Sequence, residues 1–417
     1  MFPAYLPLLA LALAIPDAPA PAAAPPNFAR CEGRAVRQPE AEETARCFDE
    51  TGETLRRADE AGARLRKLAR QHPGSPWLLL FLAYHDNAHA SELFRQAVAG
   101  FADRREAKGE VLARANLYRL LYKAGRMDEA RAQVQQALAV AKASGRPEVI
   151  ARARILQAQY LWGVGKDLET AYLTLRRAEA VLFPNGNYYL KRDCLSALGN
   201  LSLGLGHYRE GLDAFRRMTE LTVAQGDRYA EANARYGVAR AVLNSNDELP
   251  SEEIQQQAAR LAAEALTAAV AGKNRGIEAK AHFLLGILSA GEEASAHFDA
   301  CRAAADTVRD RSTCLNGLAR HLAASDPRRA DRMIDASLEL ARQAEDHWSM
   351  AYAWRERMRV SWAAGSSERA SADSQSALDA IEALRDQQAA SSGQAEAFST
   401  WSEDYYWLSG RLIEASL

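Results

Sequence analysis

The stretch Cys194–Tyr229 reads CLSALGNLSLGLGHYREGLDAFRRMTELTVAQGDRY, and its pattern decides the fold. Apolar residues recur at helical spacing on both sides of Gly206, which interrupts the pattern as a tight turn. A small residue stands in each half, Gly199 before the turn and Gly211 after it. Because helices that meet through glycine can cross closely, the stretch predicts two helices packed as a hairpin.

The hairpin pattern repeats along the chain. Glycine turns stand 40, 41 and then 159 residues apart, the last interval being close to four of the others, at Gly125, Gly165, Gly206 and Gly365. An amphipathic helix is predicted after each turn or degraded turn, over 128–143, 168–182, 208–224, 251–271, 292–308, 328–344 and 368–385. No single hairpin can bury both of its faces, so stability is expected to come from stacked neighbours.

These hairpins resemble tetratricopeptide repeats. The consensus positions of that family are matched in one repeat by Leu198, Gly199, Asn200, Gly206, His207, Tyr208, Gly211 and Phe215, and in the last repeat by Trp354, Gly365, Ala370, Ala377 and Leu378. The resemblance covers roughly residues 88–388, with a period longer than the usual length of about 34 and weak turns between 246 and 330. It implies an all-α protein, a tetratricopeptide-like α-solenoid of about seven helical hairpins with capping helices at both ends.

Proline placement suggests where the array begins. Ten of the 14 prolines lie at or before Pro76, and a helix interior tolerates proline poorly. The expected organisation is a signal peptide with a proline- and alanine-rich linker over 1–26, N-terminal capping helices over 27–87, the repeat array over 88–390 and a C-terminal capping helix over 391–417.

The N-terminus favours export. An apolar run of about ten residues is too short to span a bilayer, and Ala12-Leu13-Ala14 offers a cleavage site of the small-x-small type. No Lys or Arg precedes that run, so a disordered tail on a cytoplasmic protein stays the alternative to a periplasmic or secreted one. No membrane span is expected in the mature chain.

Five cysteines leave at least one thiol free, because they are odd in number. Cys31 and Cys47 are candidates for a disulfide in an oxidising compartment. Cys194 and Cys301 fall on predicted core faces, where a cysteine usually acts as a small apolar side chain.

Charge and motifs argue against several classes of function. The formal net charge of −2 lacks the basic excess of a nucleic-acid binder. His85 and His89 have the spacing of a zinc-protease helix, but Asp86 stands where the glutamate base would be and Asp86-Asn87 favours a helix joint. The sequence has no phosphate-binding glycine loop, nucleophile elbow or Cys-x-x-Cys motif, so no metal, no cofactor and no catalysis are predicted.

The tail carries a second resemblance. Residues 380–385, followed by an aromatic series, are similar to the junction in bacterial tetratricopeptide proteins that carry a C-terminal CHAT (caspase-like) domain; the series is Phe398, Trp401, Tyr405, Tyr406 and Trp407. That family implies a catalytic His–Cys pair in a later module, which is expected to be absent from this chain. The alternative function is therefore the sensing half of such a peptidase. The aromatic residues themselves either form a docking patch or pack on the last repeat.

Ligands of the tetratricopeptide family usually lie against the first helices of the repeats. Carried over to this sequence, the groove-facing candidates are Asn116, Arg119 and Lys123 in the first repeat, Gln157 in the second and Asn200 in the third. Asparagine and arginine there suit the backbone or carboxylate of an extended peptide; the alternative is a solvated helix face. The favoured hypothesis is a non-catalytic scaffold in the bacterial cell envelope that binds a protein or peptide.

Overall fold

A computed structural model describes residues 65–67, 69–70, 74–86, 88–124, 126–163, 167–244, 251–392 and 410. The side chains of Lys123, Asn185 and residues 384–392 lie outside this description. Within the described ranges every regular element is a helix, which confirms the predicted all-α class. None of the helices there combines the length and the apolarity needed to cross a bilayer.

Sixteen helices occupy the described part of the chain from residue 76 onwards. In order they are α1 (Pro76–Ala83), α2 (Ala90–Asp103), α3 (Ala107–Lys123), α4 (Met127–Ser144), α5 (Pro147–Gly163), α6 (Leu168–Asn185), α7 (Tyr188–Gly204), α8 (Tyr208–Gln225), α9 (Arg228–Leu243), α10 (Glu252–Ala271), α11 (Arg275–Leu288), α12 (Gly291–Ala304), α13 (Val308–Leu322), α14 (Pro327–Gln343), α15 (His347–Ala363) and α16 (Ser367–Ser392).

The helices stack as hairpins in two layers. Each helix packs on the next along the chain, and each odd-numbered helix also contacts the odd-numbered helix that follows it. Successive odd-numbered helices therefore lie closer together than successive even-numbered ones, so the array curves with the odd-numbered helices inside. We call their exposed surface the inner face.

The predicted hairpins are confirmed from α3 to α16. The seven even-numbered helices from α4 onwards all begin within one residue of the predicted starts. The prediction for 292–308 runs too far, because α12 ends at Ala304 and Thr307 caps the start of α13 by accepting a hydrogen bond from the backbone of Asp310. In addition, α1 packs on α2 as one more hairpin ahead of the seven. The expected segments at 1–26 and 391–417 lie almost wholly outside the described residues.

Phe215 shows why glycine is needed inside the first helices. A Cβ atom added to Gly199 would lie 2.7 Å from the Phe215 ring, and one added to Gly237 would lie 2.3 Å from it. The ring of α8 thus fills a space between α7 of its own hairpin and α9 of the next. Gly206, between α7 and α8, has a φ of 76°, which glycine adopts without steric cost. Gly206 thus forms the turn within the hairpin of α7 and α8, and the Phe215 ring packs this hairpin against α9.

A disulfide joins two consecutive hairpins near the C-terminal end. Cys301 of α12 is bonded to Cys314 of α13, with their Cα atoms 5.8 Å apart. The prediction that Cys301 acts only as a small apolar side chain is therefore wrong. Cys194 is a buried free thiol, as expected for a core position. The proposed partners Cys31 and Cys47 lie outside the described residues.

Candidate ligand-binding groove

The predicted groove residues lie on helices of the inner layer. Asn116 and Arg119 belong to α3, Gln157 to α5 and Asn200 to α7. Lys123 is the last residue of α3, and its side chain is outside the description. The structure brings Asn116 and Arg119 into one pocket, whereas Gln157 and Asn200 do not line it.

The amide of Asn116 is fixed in orientation. Its Nδ2 donates hydrogen bonds to the Tyr84 hydroxyl at 2.9 Å and to the backbone carbonyl of Leu112 at 2.8 Å. Its Oδ1 therefore faces Arg119, whose Nη1 lies 3.4 Å away. Arg119 is exposed and forms no ion pair with a carboxylate of the described residues. The result is an oriented guanidinium available to an anionic or carbonyl group of a ligand.

The pocket around this pair has two unlike walls and a volume of about 100 Å³. The first and second hairpins provide an apolar, mostly aromatic wall, and the inner helices α5 and α7 provide a charged one. The apolar wall contains Trp77, Phe81, Tyr84, Leu112 and Ala115. The charged wall contains Arg152, Arg192 and Asp193, together with Tyr189. Such a combination suits a ligand that presents an apolar side chain beside a polar backbone or a charge.

Asp193 is the acidic group of the charged wall. The Nε and Nη2 atoms of Arg192 donate to its Oδ1 at 3.1 and 2.8 Å. Burial works against ionisation of this carboxyl, but the nearby charges of Arg192, Arg119 and Arg152 outweigh burial and hold its pKa below the usual range. Asp193 is therefore ionised at neutral pH. Because Arg119 and Arg152 act on Asp193 in addition to Arg192, the pocket holds charges of both signs.

Asn200 belongs to a different part of the inner face. Its Oδ1 accepts a hydrogen bond from Nη1 of Arg240 at 3.2 Å, and its Nδ2 donates to the carbonyl of Ser196 at 2.8 Å. Arg240 also lies over the Tyr236 ring, 5.8 Å from its centre. This group connects α7 to α9 and continues the line of polar residues beyond the pocket. Gln157 is half-buried on α5 and joins neither group.

Sequence reasoning missed Tyr84, Arg152, Arg192, Asp193 and Arg240. The repeat period offered one usable signal, because Arg119, Asn200 and Arg240 are separated by multiples of about forty residues. By the same register, the position in α5 that matches Arg119 and Asn200 is Gln159, two residues after Gln157. No comparable pattern in the sequence indicates that Tyr84 and Asp193 line the same pocket.

A second polar and aromatic zone lies on the inner layer near the C-terminal end. Glu356 of α15 is fully buried and accepts hydrogen bonds from Arg320 of α13 at 2.8 Å and from Arg359 at 3.1 Å. The rings of Trp348 and Tyr352 are stacked on the same helix, 5.5 Å apart. This zone is therefore largely occupied by contacts between its own side chains, unlike the pocket around Arg119.

The histidine pair near the end of α1 does not form a metal-binding helix. His85 and His89 lie in the turn between α1 and α2, and Nδ1 of His89 is 3.0 Å from Oδ1 of Asp86. The chain is in turn conformation at 84–85 and at 88–89, so the helical spacing of the two histidines is lost. Throughout the described residues, no group of three or more His, Cys, Asp or Glu side chains is placed to hold a metal ion.

No family model and no curated protein sequence matches this chain. Solved structures do. A Rap protein complexed with competence and sporulation factor superposes with a TM-score of 0.54 at 12% identity, over 85% of this chain and 99% of that one. Aspartyl phosphate phosphatase F from Bacillus subtilis superposes with a TM-score of 0.50 at 11% identity, over 84% and 92%.

A signal-transduction ATPase with a tetratricopeptide-repeat sensor, from Pyrococcus horikoshii, superposes with a TM-score of 0.55 at 14% identity, over 85% of this chain and 55% of that one. At such low identity these similarities concern the fold alone. None of them carries a CHAT module by its description, so that resemblance stays a prediction. The two layers of stacked hairpins and these structural matches establish the fold of the chain as a tetratricopeptide-like α-solenoid.

Proposed function

We propose that this protein is a non-catalytic scaffold that binds a protein or peptide segment on its inner face. The observation that carries the proposal is the pocket in which Asn116 holds Arg119 over an aromatic wall. Its residues come from four separate helical segments, and Arg119 has no carboxylate partner among the described residues. An exposed guanidinium that is oriented by a neighbouring amide and bonded to no carboxylate of the described residues is available to an anionic or carbonyl group of a ligand.

Each part of the pocket suits a part of a polypeptide. Arg119 can donate two parallel hydrogen bonds to a carboxylate or a backbone carbonyl. The wall of Trp77, Phe81 and Leu112 can cover an apolar side chain of the ligand. Asp193, ionised at neutral pH, can accept hydrogen bonds from backbone amides or attract a basic side chain. The Rap protein that shares this fold was crystallised with competence and sporulation factor, which supports a ligand-binding role for the architecture.

We further propose that the protein works in the cell envelope or outside the cell. The support is the disulfide between Cys301 and Cys314, because such bonds persist in oxidising compartments and are rare in the cytosol. The exclusion of nucleic acid remains a prediction from the balanced charge. The alternative role as the sensing half of a CHAT peptidase rests on tail residues outside the described ranges, and no contact in the structure favours it.

The binding proposal is tested with peptides selected on the full-length protein. A displayed library of random twelve-residue peptides is selected first, and binders are then measured by fluorescence anisotropy. Arg119→Gln removes the charge and keeps similar length, so we expect a loss of about tenfold in affinity, equal to roughly 1.4 kcal/mol. Arg209→Gln is the matched control, because Arg209 is an exposed arginine on the even-numbered helix α8.

Binders that lose equal affinity with both variants, or with neither, would remove Arg119 from the proposed site. Failure to select any peptide that competes at the pocket would count against the proposed function itself. Circular dichroism on each variant confirms that the helices are intact.

A further inference from the structure

The curved array meets itself. Helix α16, the last of the described array, contacts α4, although eleven helices and more than 200 residues separate them along the chain. The other substantial contacts between the described helices join neighbours in sequence or successive odd-numbered helices. The contact of α16 with α4, which we call the seam, means that the array has completed a turn and returned to its second hairpin.

Charges acting across the inner face support the same geometry. Burial raises the pKa of Tyr122 at the end of α3, and Arg309 of α13 opposes that shift. Burial likewise raises the pKa of Tyr236 of α9, where Arg240 lowers it and Asp310 of α13 adds to the rise. Two residues at the start of α13 thus act electrostatically on tyrosines of both α3 and α9.

Side chains on this face are surrounded by protein while still reaching solvent. Asp193 keeps 22% of its side chain exposed, yet burial is the largest single influence on its carboxyl group. Asp193 is therefore a mostly buried side chain of the inner face, and part of it still reaches solvent.

We propose that the inner face is a channel closed by the seam between α16 and α4, which admits an extended chain segment and excludes a folded domain. The identity of the ligand as a polypeptide rests on the proposed function, whereas the closure of the channel rests on the contact between α16 and α4 alone. A folded partner has no access to Arg119, Asp193 or Asn200 while the seam is closed. The ligand class is therefore an extended polypeptide, such as a free peptide or a chain terminus, that enters along the axis of the array.

The channel is tested by chemical labelling of the full-length protein, without any ligand. A thiol is introduced by Asn200→Cys on the inner face and, as the matched control, by Arg209→Cys on α8. Three maleimides of increasing bulk are compared: N-ethylmaleimide, a maleimide on an extended ten-residue Gly–Ser peptide, and a maleimide on folded ubiquitin. Reaction at the introduced thiol is followed by peptide mapping under non-reducing conditions, so that the native cysteines do not interfere.

We expect all three reagents to modify the Arg209→Cys variant. The Asn200→Cys variant is expected to react with the first two and at least tenfold more slowly with the ubiquitin reagent, relative to the control. Equal reaction of both variants with ubiquitin would overturn the channel, because the inner face would then be open. If the extended-peptide reagent also failed to modify Asn200→Cys, the proposal that the channel admits an extended chain segment would be wrong.

A second variant, Arg119→Cys, keeps the test decisive if Asn200→Cys disturbs the fold, since Arg119 is exposed on α3 and bonds only weakly to Asn116. The two proposals fail separately. If the ubiquitin reagent modifies both variants equally and peptides still bind, only the channel proposal is refuted. If labelling depends on reagent size but no peptide binder is found, only the proposed function is refuted.

Discussion

Phe215 and Phe298 hold the same place in the two halves of the array, but their surroundings differ. Each ring lies between two glycines, Phe215 between Gly199 and Gly237, and Phe298 between Gly286 and Gly317. Around Phe215 the buried apolar residues form one continuous cluster from α5 to α10. Around Phe298 the core is divided into smaller clusters, and the buried residues of one of them are three alanines and the two bonded cysteines, with Phe283 packed against them.

The C-terminal half has a less continuous apolar core and, in addition, a covalent bond between helices. Besides the disulfide, it has hydrogen bonds to buried carboxylates, from Ser361 to Asp373 at 2.7 Å and from Arg320 to Glu356 at 2.8 Å. In a solenoid each hairpin is stabilised mainly by its neighbours, so the two halves can reach stability by different means. Three experiments test this difference between the halves.

The largest effect is expected from Phe215→Ala. The ring is 1% exposed and fills the space between three helices, so its removal leaves a cavity and should cost about 4 kcal/mol of unfolding free energy. Phe298→Ala should cost less while the disulfide limits the separation of α12 from α13. Urea unfolding combined with hydrogen exchange resolves the two halves. A larger loss for Phe298→Ala would show that the disulfide does not compensate for the divided core.

The next effect is expected from the double substitution Cys301→Ala and Cys314→Ala. The bond closes a loop with a sequence separation of 13, and a loop near this length is worth about 3 kcal/mol in the chain-entropy account. Faster hydrogen exchange is expected in α12 and α13 but not in α7 and α8. Cys194→Ala is the control, because Cys194 is a buried free thiol in α7. Uniformly faster exchange along the whole array would contradict local stabilisation.

The smallest effect is a pH dependence confined to the C-terminal half. His282 of α11 and His297 of α12 have their Nδ1 atoms 3.0 Å apart, so one of them donates to the other. Burial and then the neighbouring His297 lower the pKa of His282 from 6.5, with Glu278 opposing the shift. The unfolded chain therefore binds more protons than the folded one below pH 6.5, and stability falls as the pH drops through that region.

Exchange of α11 and α12 should thus quicken between pH 7 and 5.5 beyond the intrinsic chemical effect, while α7 and α8 should not change. His282→Asn should remove most of this dependence. If the variant kept the full pH response, another titrating group would have to be responsible.

The sequence predicted the array well because its signals are local. Glycine turns and amphipathic helices located seven even-numbered helices to within one residue of their starts. The close approach at Gly199 also followed from the cost of glycine within a helix. Both kinds of feature are determined within one hairpin or between adjacent ones.

The features that were missed depend on curvature. The disulfide requires Cys301 and Cys314 to meet across the joint between two hairpins, and their spacing alone did not indicate it. The pocket combines Tyr84, Arg119 and Asp193, which converge only because the inner helices turn about a common axis. Small rotations between hairpins add up over several repeats, and a one-dimensional pattern does not contain them.

The seam has a consequence for how this protein can change in evolution. Many solenoids gain or lose units freely, since each unit touches only its neighbours. Here α16 contacts the second hairpin. Insertion of a single unit would displace α16 from this contact by the rotation of one repeat, and deletion of a unit would leave it short of the contact. The seam therefore ties the number of hairpins between α4 and α16 to the curvature of the array.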